Sequence, residues 1–199
     1  MPITLEMIKE LREKTGAGVL DCRKALETAE CDMARAQQIL YDKGLAAAAR
    51  KAERETKQGL IEAYVHMGKA AALVEVNCET DFVARTAQFK ELAHNLAMQV
   101  VASRPQYVRL EDIPADIVEK ERSAYTVQLE GQGKPAHLLL EIVENKLKKF
   151  YAEVCLLKQP YIRDQEKTVQ DIVNEVVATT GENIVVRRFA RLELNEQDS

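Results

Sequence analysis

The sequence has no surplus of positive charge: 28 Lys and Arg stand against 32 Asp and Glu, a formal net charge of −4. A chain that held nucleic acid through its phosphates would ordinarily carry a basic domain, so no direct nucleic-acid contact is expected. No apolar run approaches the roughly 20 residues that span a bilayer. Met1-Pro2-Ile3-Thr4 lacks the basic start and apolar centre of a secretion signal, and Glu6, Glu10 and Glu13 come early for an acid-poor transit peptide. A cytoplasmic protein without membrane contact is expected. The cysteines, Cys22, Cys31, Cys78 and Cys155, form no C-x-x-C pair and have no His at zinc-site spacing, so free thiols and no metal are expected. His66, His94 and His137 fall in separate segments, and a Cys78 nucleophile with His66 as base would have no oxyanion loop. Gly16-Ala17-Gly18 is too short for a dinucleotide loop and lacks the Lys-Ser/Thr of a phosphate loop. No catalytic residue, no cofactor and no enzyme activity are expected.

What is present is organised around Glu75-Val76-Asn77-Cys78-Glu79-Thr80-Asp81-Phe82-Val83-Ala84-Arg85. The apolar run over residues 70–76 reads as a strand; beyond Asp81, Phe82, Phe89, Leu92, Leu96 and Val100 follow helical spacing, predicting one helix over 82–103. Thr80 or Asp81 can cap it, and Asp81 suits the positive end of its dipole. Two placements of Phe82 fit this pattern: on the buried stripe, seven residues before Phe89, or projecting from the helix tip as a wedge. Periodicity does not choose between them.

Upstream, Thr4 reads as an N-cap flanked by an Ile3/Ile8 staple, with Leu5, Met7, Ile8 and Leu11 on the apolar face of a first helix. A second helix over 19–30 turns Cys22, Ala25, Leu26 and Ala29 inward. Asp32 caps a third, with Met33, Ala36, Ile39 and Leu40 facing the core and Gly44 ending it. Residues 1–45 thus form a three-helix module, 46–58 a charged helical linker and 59–199 a larger α+β domain. Within that domain Ile61, Ala63 and Val65 alternate with polar residues, and Met67-Gly68-Lys69 turns the chain into a hairpin. Residues 107–110 read as a short extended piece. Pro114 opens a helix to about 129; Gly131, Gly133 and Pro135 break it before another over 136–150, and Thr168-Val169 opens the next. The fold class is α+β, with a small antiparallel sheet of about three strands packed with helices.

Glu75 to Arg85 resembles a signature of the bacterial elongation factor Ts family. Leu11-Arg12-Glu13-Lys14-Thr15-Gly16-Ala17-Gly18-Val19-Leu20-Asp21-Cys22-Arg23-Lys24-Ala25-Leu26 is similar to the family's other signature. Lys148 to Tyr161 and Gly181 to Phe189 are similar to later family segments, the latter to a returning strand that pairs with the hairpin. The resemblance implies a ubiquitin-associated-like N-terminal module. It also implies guanine-nucleotide exchange on elongation factor Tu, in its GDP-bound and nucleotide-free states, with GDP and magnesium released and GTP reloaded. Partner contact would fall on Arg12, Val19, Leu20, Thr80, Asp81, Phe82 and Val83. Val19-Leu20 stands where the family commonly has two methionines, keeping apolar volume without the flexible thioether. The chain has no room for the second sheet-and-helix subdomain or the coiled coil of long members, and short members are expected to act as homodimers through the sheet and residues 136–154. Two other readings remain at this level: a helix-turn-helix nucleic-acid module built on the Gly-containing turn before Arg23-Lys24, and a passive binding module without exchange activity.

Overall fold

The computed structural model describes residues 3–129 and 136–196. Met1, Pro2, Gly131, Gly133, Pro135 and the side chain of His137, which the sequence reading used, lie outside the described residues. The first elements are α1 (Leu5–Thr15), α2 (Val19–Thr28) and α3 (Met33–Lys51). The hairpin strands β1 (Gln58–His66) and β2 (Ala70–Cys78) follow, then α4 (Asp81–Ala84) and α5 (Ala87–Ser103). After them come α6 (Ala115–Leu129), α7 (Ala136–Val154), β3 (Pro160–Tyr161), β4 (Asp164–Thr168), α8 (Val169–Thr180) and β5 (Ile184–Glu193). The class is α+β, with an antiparallel three-stranded sheet in the order β1-β2-β5. Strands β3 and β4 make a separate two-stranded sheet that the sequence reading did not anticipate.

Two compact units divide the chain, one of Met1–Glu62, Val74–Asn95 and Asp171–Arg187, the other of Ala63–Leu73, Leu96–Gln170 and Arg188–Ser199. In the first, α1 to α3 share a core of Leu11, Cys22, Ala25, Leu26, Ala29 and Ala36, against which Ile3, Met7, Ile8, Met33, Ile39 and Leu40 pack. Thr4 Oγ1 accepts from Met7 N and Asp32 Oδ1 from Arg35 N, so both expected caps are made. Leu5 is not on the buried face but 84% exposed, because six residues at about 100° each set it well away from Leu11. Nor does Gly44 end α3: the Ala-rich run after it, made of the strongest helix formers, carries the helix to Lys51.

The expected single helix over 82–103 is two helices. Thr86 Oγ1 donates to Val83 O and accepts from Phe89 N, closing α4 and starting α5 afresh. Helical phase is therefore not continuous from Phe82 to Phe89. Phe89, Leu92 and Ala93 are buried, as are Val74, Val76 and Cys78 of β2 and Ile184 and Val186 of β5. On β1, Ile61 points outward while Glu62 Oε1 lies 2.9 Å from His94 Nδ1 of α5, so this strand turns a partly polar side to the helix.

In the second unit α6 and α7 pack through Leu129, Val143 and Leu147 with Val118, Tyr125 and Ile142. Helix α7 runs to Val154 rather than stopping near Phe150. Tyr107 bridges to Cys155 in parallel fashion, which is the short extended piece of the sequence reading. Buried Gln99 on α5 holds the β3–β4 hairpin: its amide donates to Gln159 Oε1 and Pro160 O, and its carbonyl accepts from Ile162 N at 2.9 Å. Val65, Met67, Leu73, Leu192 and Leu194 are exposed large hydrophobics of the same unit.

Candidate functional site

The site residues named from the sequence stand on two short stretches of the first unit. The first is the turn from α1 into α2. Gly16 closes α1 in the left-handed region, φ 66°, with its N–H on Arg12 O at 2.8 Å. A Cβ there would meet Thr179 Cγ2 of α8 at 3.0 Å, so glycine serves both the turn and the approach of α8. Val19 and Leu20 then open α2 with 51% and 71% of their surface exposed, and Arg12 is exposed on the preceding helix. Two adjacent helical positions point about 100° apart, and neither of these is taken up by the three-helix core.

The second stretch is the β2–α4 corner. Thr80 is the N-cap, its hydroxyl accepting from Val83 N at 3.4 Å, and Asp81 is the first residue of α4. Of the two capping candidates the backbone thus takes Thr80. Asp81 is free of that duty and pairs with Arg85 at 2.9 Å, an exposed ion pair of little energetic weight. Phe82 is 80% exposed, which decides between the two placements that periodicity left open. Val83 is half-buried and Ala84 buried, so the tip is rooted by its last turn and presents the Phe82 ring outward.

The corner is fastened at its base. Glu182 Oε2 accepts from Glu79 N and Thr80 N at 3.1 and 3.0 Å, and Glu182 Oε1 accepts from the Thr80 hydroxyl at 2.5 Å. Sequence reasoning did not single out Glu182. No local spacing could have done so, since it stands 102 residues from Thr80.

Three of the four thiols, Cys22, Cys78 and Cys155, are buried. Burial, aided by the Glu182 charge, pushes Cys78 up to about 11, and its Sγ donates to Thr80 O at 3.1 Å. Burial also raises Cys155 to about 11, and it raises Cys22. His66 pairs with the Tyr64 hydroxyl, 3.0 Å away. Among the described residues no three His, Cys, Asp or Glu side chains are grouped to hold a metal ion, and no helix is long and apolar enough to cross a membrane.

A surface of this kind, an exposed aromatic on a fastened helix tip and a pair of exposed aliphatics at a helix start, suits contact with a macromolecule rather than chemistry on a small one. The profile of the family described as Elongation factor TS matches residues 46–177. The chain belongs to the elongation factor Ts family. Elongation factor Ts of Thermotoga maritima is 55% identical over 197 residues, 98% of this chain and 98% of its own length. That of Thermotoga neapolitana is 54% identical over 198 residues, 99% of this chain and 100% of its own length. That of Thermodesulfovibrio yellowstonii is 52% identical over 196 residues, 98% of each. Membership makes the chain a translation elongation factor. With the relatives, the family covers the three-helix region as well as the sheet, so both stretches lie inside the shared sequence.

Proposed function

We propose that the chain is a guanine-nucleotide exchange factor that binds elongation factor Tu carrying GDP, promotes release of GDP and magnesium, and leaves the partner open to GTP. The observation that carries this reading is the 80% exposure of Phe82 on a helix tip whose backbone is tied down behind it. An exchange factor works by binding the nucleotide-free partner more tightly than the nucleotide-bound one, and linkage then makes factor and nucleotide weaken each other equally. In this reading Phe82 enters an apolar pocket near the partner's magnesium region, with Thr80 and Val83 beside it, while Asp81 disturbs the polar network there. Burying a Phe fully contributes about 1.5–3 kcal/mol, whereas moving an equilibrium from about 1:99 to 99:1 takes about 5.5 kcal/mol. Phe82 is therefore not sufficient, and Arg12, Val19 and Leu20 supply anchoring contact from the α1–α2 turn.

The division of labour follows: residues 1–45 anchor, 46–58 connect, and 59–199 carry the tip and a homodimer face. For that face the exposed Val65, Leu192 and Leu194, which with Ala71 line one shallow depression, are the apolar surface to be covered by a second copy. No covalent bond is made or broken in this function, so it needs no catalytic residue, and it belongs in the cytoplasm beside its partner.

The deciding experiment is release of fluorescent GDP from elongation factor Tu with the chain added well below stoichiometric amounts. Release of all the nucleotide, much faster than the spontaneous rate, is the expected result. Binding with an unchanged release rate would reduce the chain to a passive binder, and salt-dependent duplex binding would favour the helix-turn-helix module.

A further inference from the structure

The base of the Phe82 tip is held by an exchange of carboxylates between two corners of the first unit. At the β2–α4 corner, Glu79 N, Thr80 N and the Thr80 hydroxyl all donate to the Glu182 carboxylate. At the α8–β5 corner, Asn183 N donates to Glu79 Oε1 at 2.7 Å, and Arg54 Nη1 lies 3.5 Å from the same oxygen. Asn183 Nδ2 in turn donates to Ala52 O and Arg54 O, tying in the chain that leaves α3. Main-chain N–H groups thus cross in both directions, two from the β2–α4 corner to Glu182 and one from the α8–β5 corner to Glu79. Glu182 also acts on α4 itself: the Thr80 hydroxyl gives its one proton to Glu182 and keeps a lone pair for Val83 N, so the carboxylate fixes the orientation of the cap.

This is more than a helix end requires. One side-chain acceptor caps a first turn, and Thr80 already provides it. The three donors on Glu182 instead hold the two residues immediately before Asp81 and Phe82, on a segment whose aromatic residue is 80% exposed. A projecting side chain that is ordered before contact does not lose that freedom on contact, which is how pre-organisation raises the yield of an interaction.

We propose that Glu182 is the positioning residue of the Phe82 tip, its carboxylate holding the main chain of Glu79 and Thr80 so that the ring meets the partner already oriented. The inference rests on the exchange-factor reading above. Anchoring through Arg12, Val19 and Leu20 is separate, so loosening the tip lowers the rate of nucleotide release at saturation more than it changes the concentration needed to reach it.

The test uses the full chain with Glu182→Ala and the size-preserving Glu182→Gln. Amide hydrogen exchange is expected to accelerate about tenfold at Glu79 and Thr80, the scale of one charge-assisted hydrogen bond, with the amides of the α1–α3 core unchanged. GDP release from elongation factor Tu at saturating factor is expected to fall about fivefold or more, with the half-saturating concentration within about twofold, and Glu182→Ala added to Phe82→Ala should cost nothing further. Unprotected Glu79 and Thr80 amides in the wild-type chain would overturn the inference without any variant. So would an unchanged saturating rate in both Glu182 variants when Phe82→Ala alone lowers it, or a loss confined to the half-saturating concentration. If Phe82→Ala itself leaves release unchanged, the wedge reading has failed and the inference falls with it; that case is recognised because the Glu182 variants still lose amide protection.

Discussion

At the scale of single residues, Phe82 and Leu20 separate stability from function. Both are exposed, at 80% and 71%, so truncating either should change folding stability by only about 0.5 kcal/mol. Their effects on the partner should differ. Phe82→Ala is expected to slow GDP release at saturation more than it weakens binding, whereas Leu20→Ala is expected to weaken both, as a titration of release rate against factor concentration would read directly. Equal rates for wild type and Phe82→Ala would remove the wedge. Asp81 is now separable from capping, because Thr80 is the N-cap and Asp81 the first helical residue. Asp81→Asn removes the charge and leaves the Thr80 cap in place. A slower release in that variant, with an unchanged melting temperature, would assign the role to charge; an unchanged release would assign Asp81 only a local one.

Among the elements, α8 is where the three-helix region and the start of α5 meet within the first unit. Tyr41 of α3 donates its hydroxyl to Asp171 Oδ1 at 2.6 Å, Lys51 reaches Val177 O, and Gln88 at the start of α5 donates to Thr179 Oγ1. The Asp171 hydrogen bond, with burial, pushes the Tyr41 phenol from its usual 10 up to about 12. Below about pH 10 the phenol keeps its proton in the folded and unfolded chains alike, and the bond contributes in full. Between about 10 and 12 only the unfolded chain loses the proton, so this contribution declines as pH rises. Tyr41→Phe should therefore cost about 1–2 kcal/mol at neutral pH, and the gap between wild type and variant in urea titrations should narrow from about pH 10 to about pH 12. A gap that stays constant would mean the phenol is not bonded to a carboxylate in solution.

For the whole molecule the open quantity is the number of copies. Val65, Met67, Leu73, Leu192 and Leu194 leave a set of large apolar side chains exposed in the second unit, where a single soluble chain would ordinarily place polar ones. A stable dimer buries roughly 1,200 Å² or more in total. If a second copy covers this face, sedimentation of the wild-type chain at micromolar concentration should give twice the monomer mass, and Leu192→Glu should give the monomer with the fold retained by circular dichroism. A wild-type monomer under those conditions would end the homodimer proposal.

Much of this was legible locally. The caps Thr4 and Asp32, the inward sets of α2 and α3, the Met67-Gly68-Lys69 turn and the helix opening after Thr168 are short-range features, in which a side chain answers to backbone groups or neighbours within a turn. The sequence by itself also determined family membership, through consecutive residues whose chemistry allows few exchanges. Tertiary structure decided what depended on partners distant in the chain. Whether Phe82 was core or tip turned on the Thr86 hydroxyl starting a new helix, a choice between two backbone bonding patterns that seven-residue spacing does not distinguish. That Glu182 fastens Thr80 across 102 residues could be seen only once folding brought them together, because a hydrogen bond is set by distance in space and periodicity reports only neighbours along the chain.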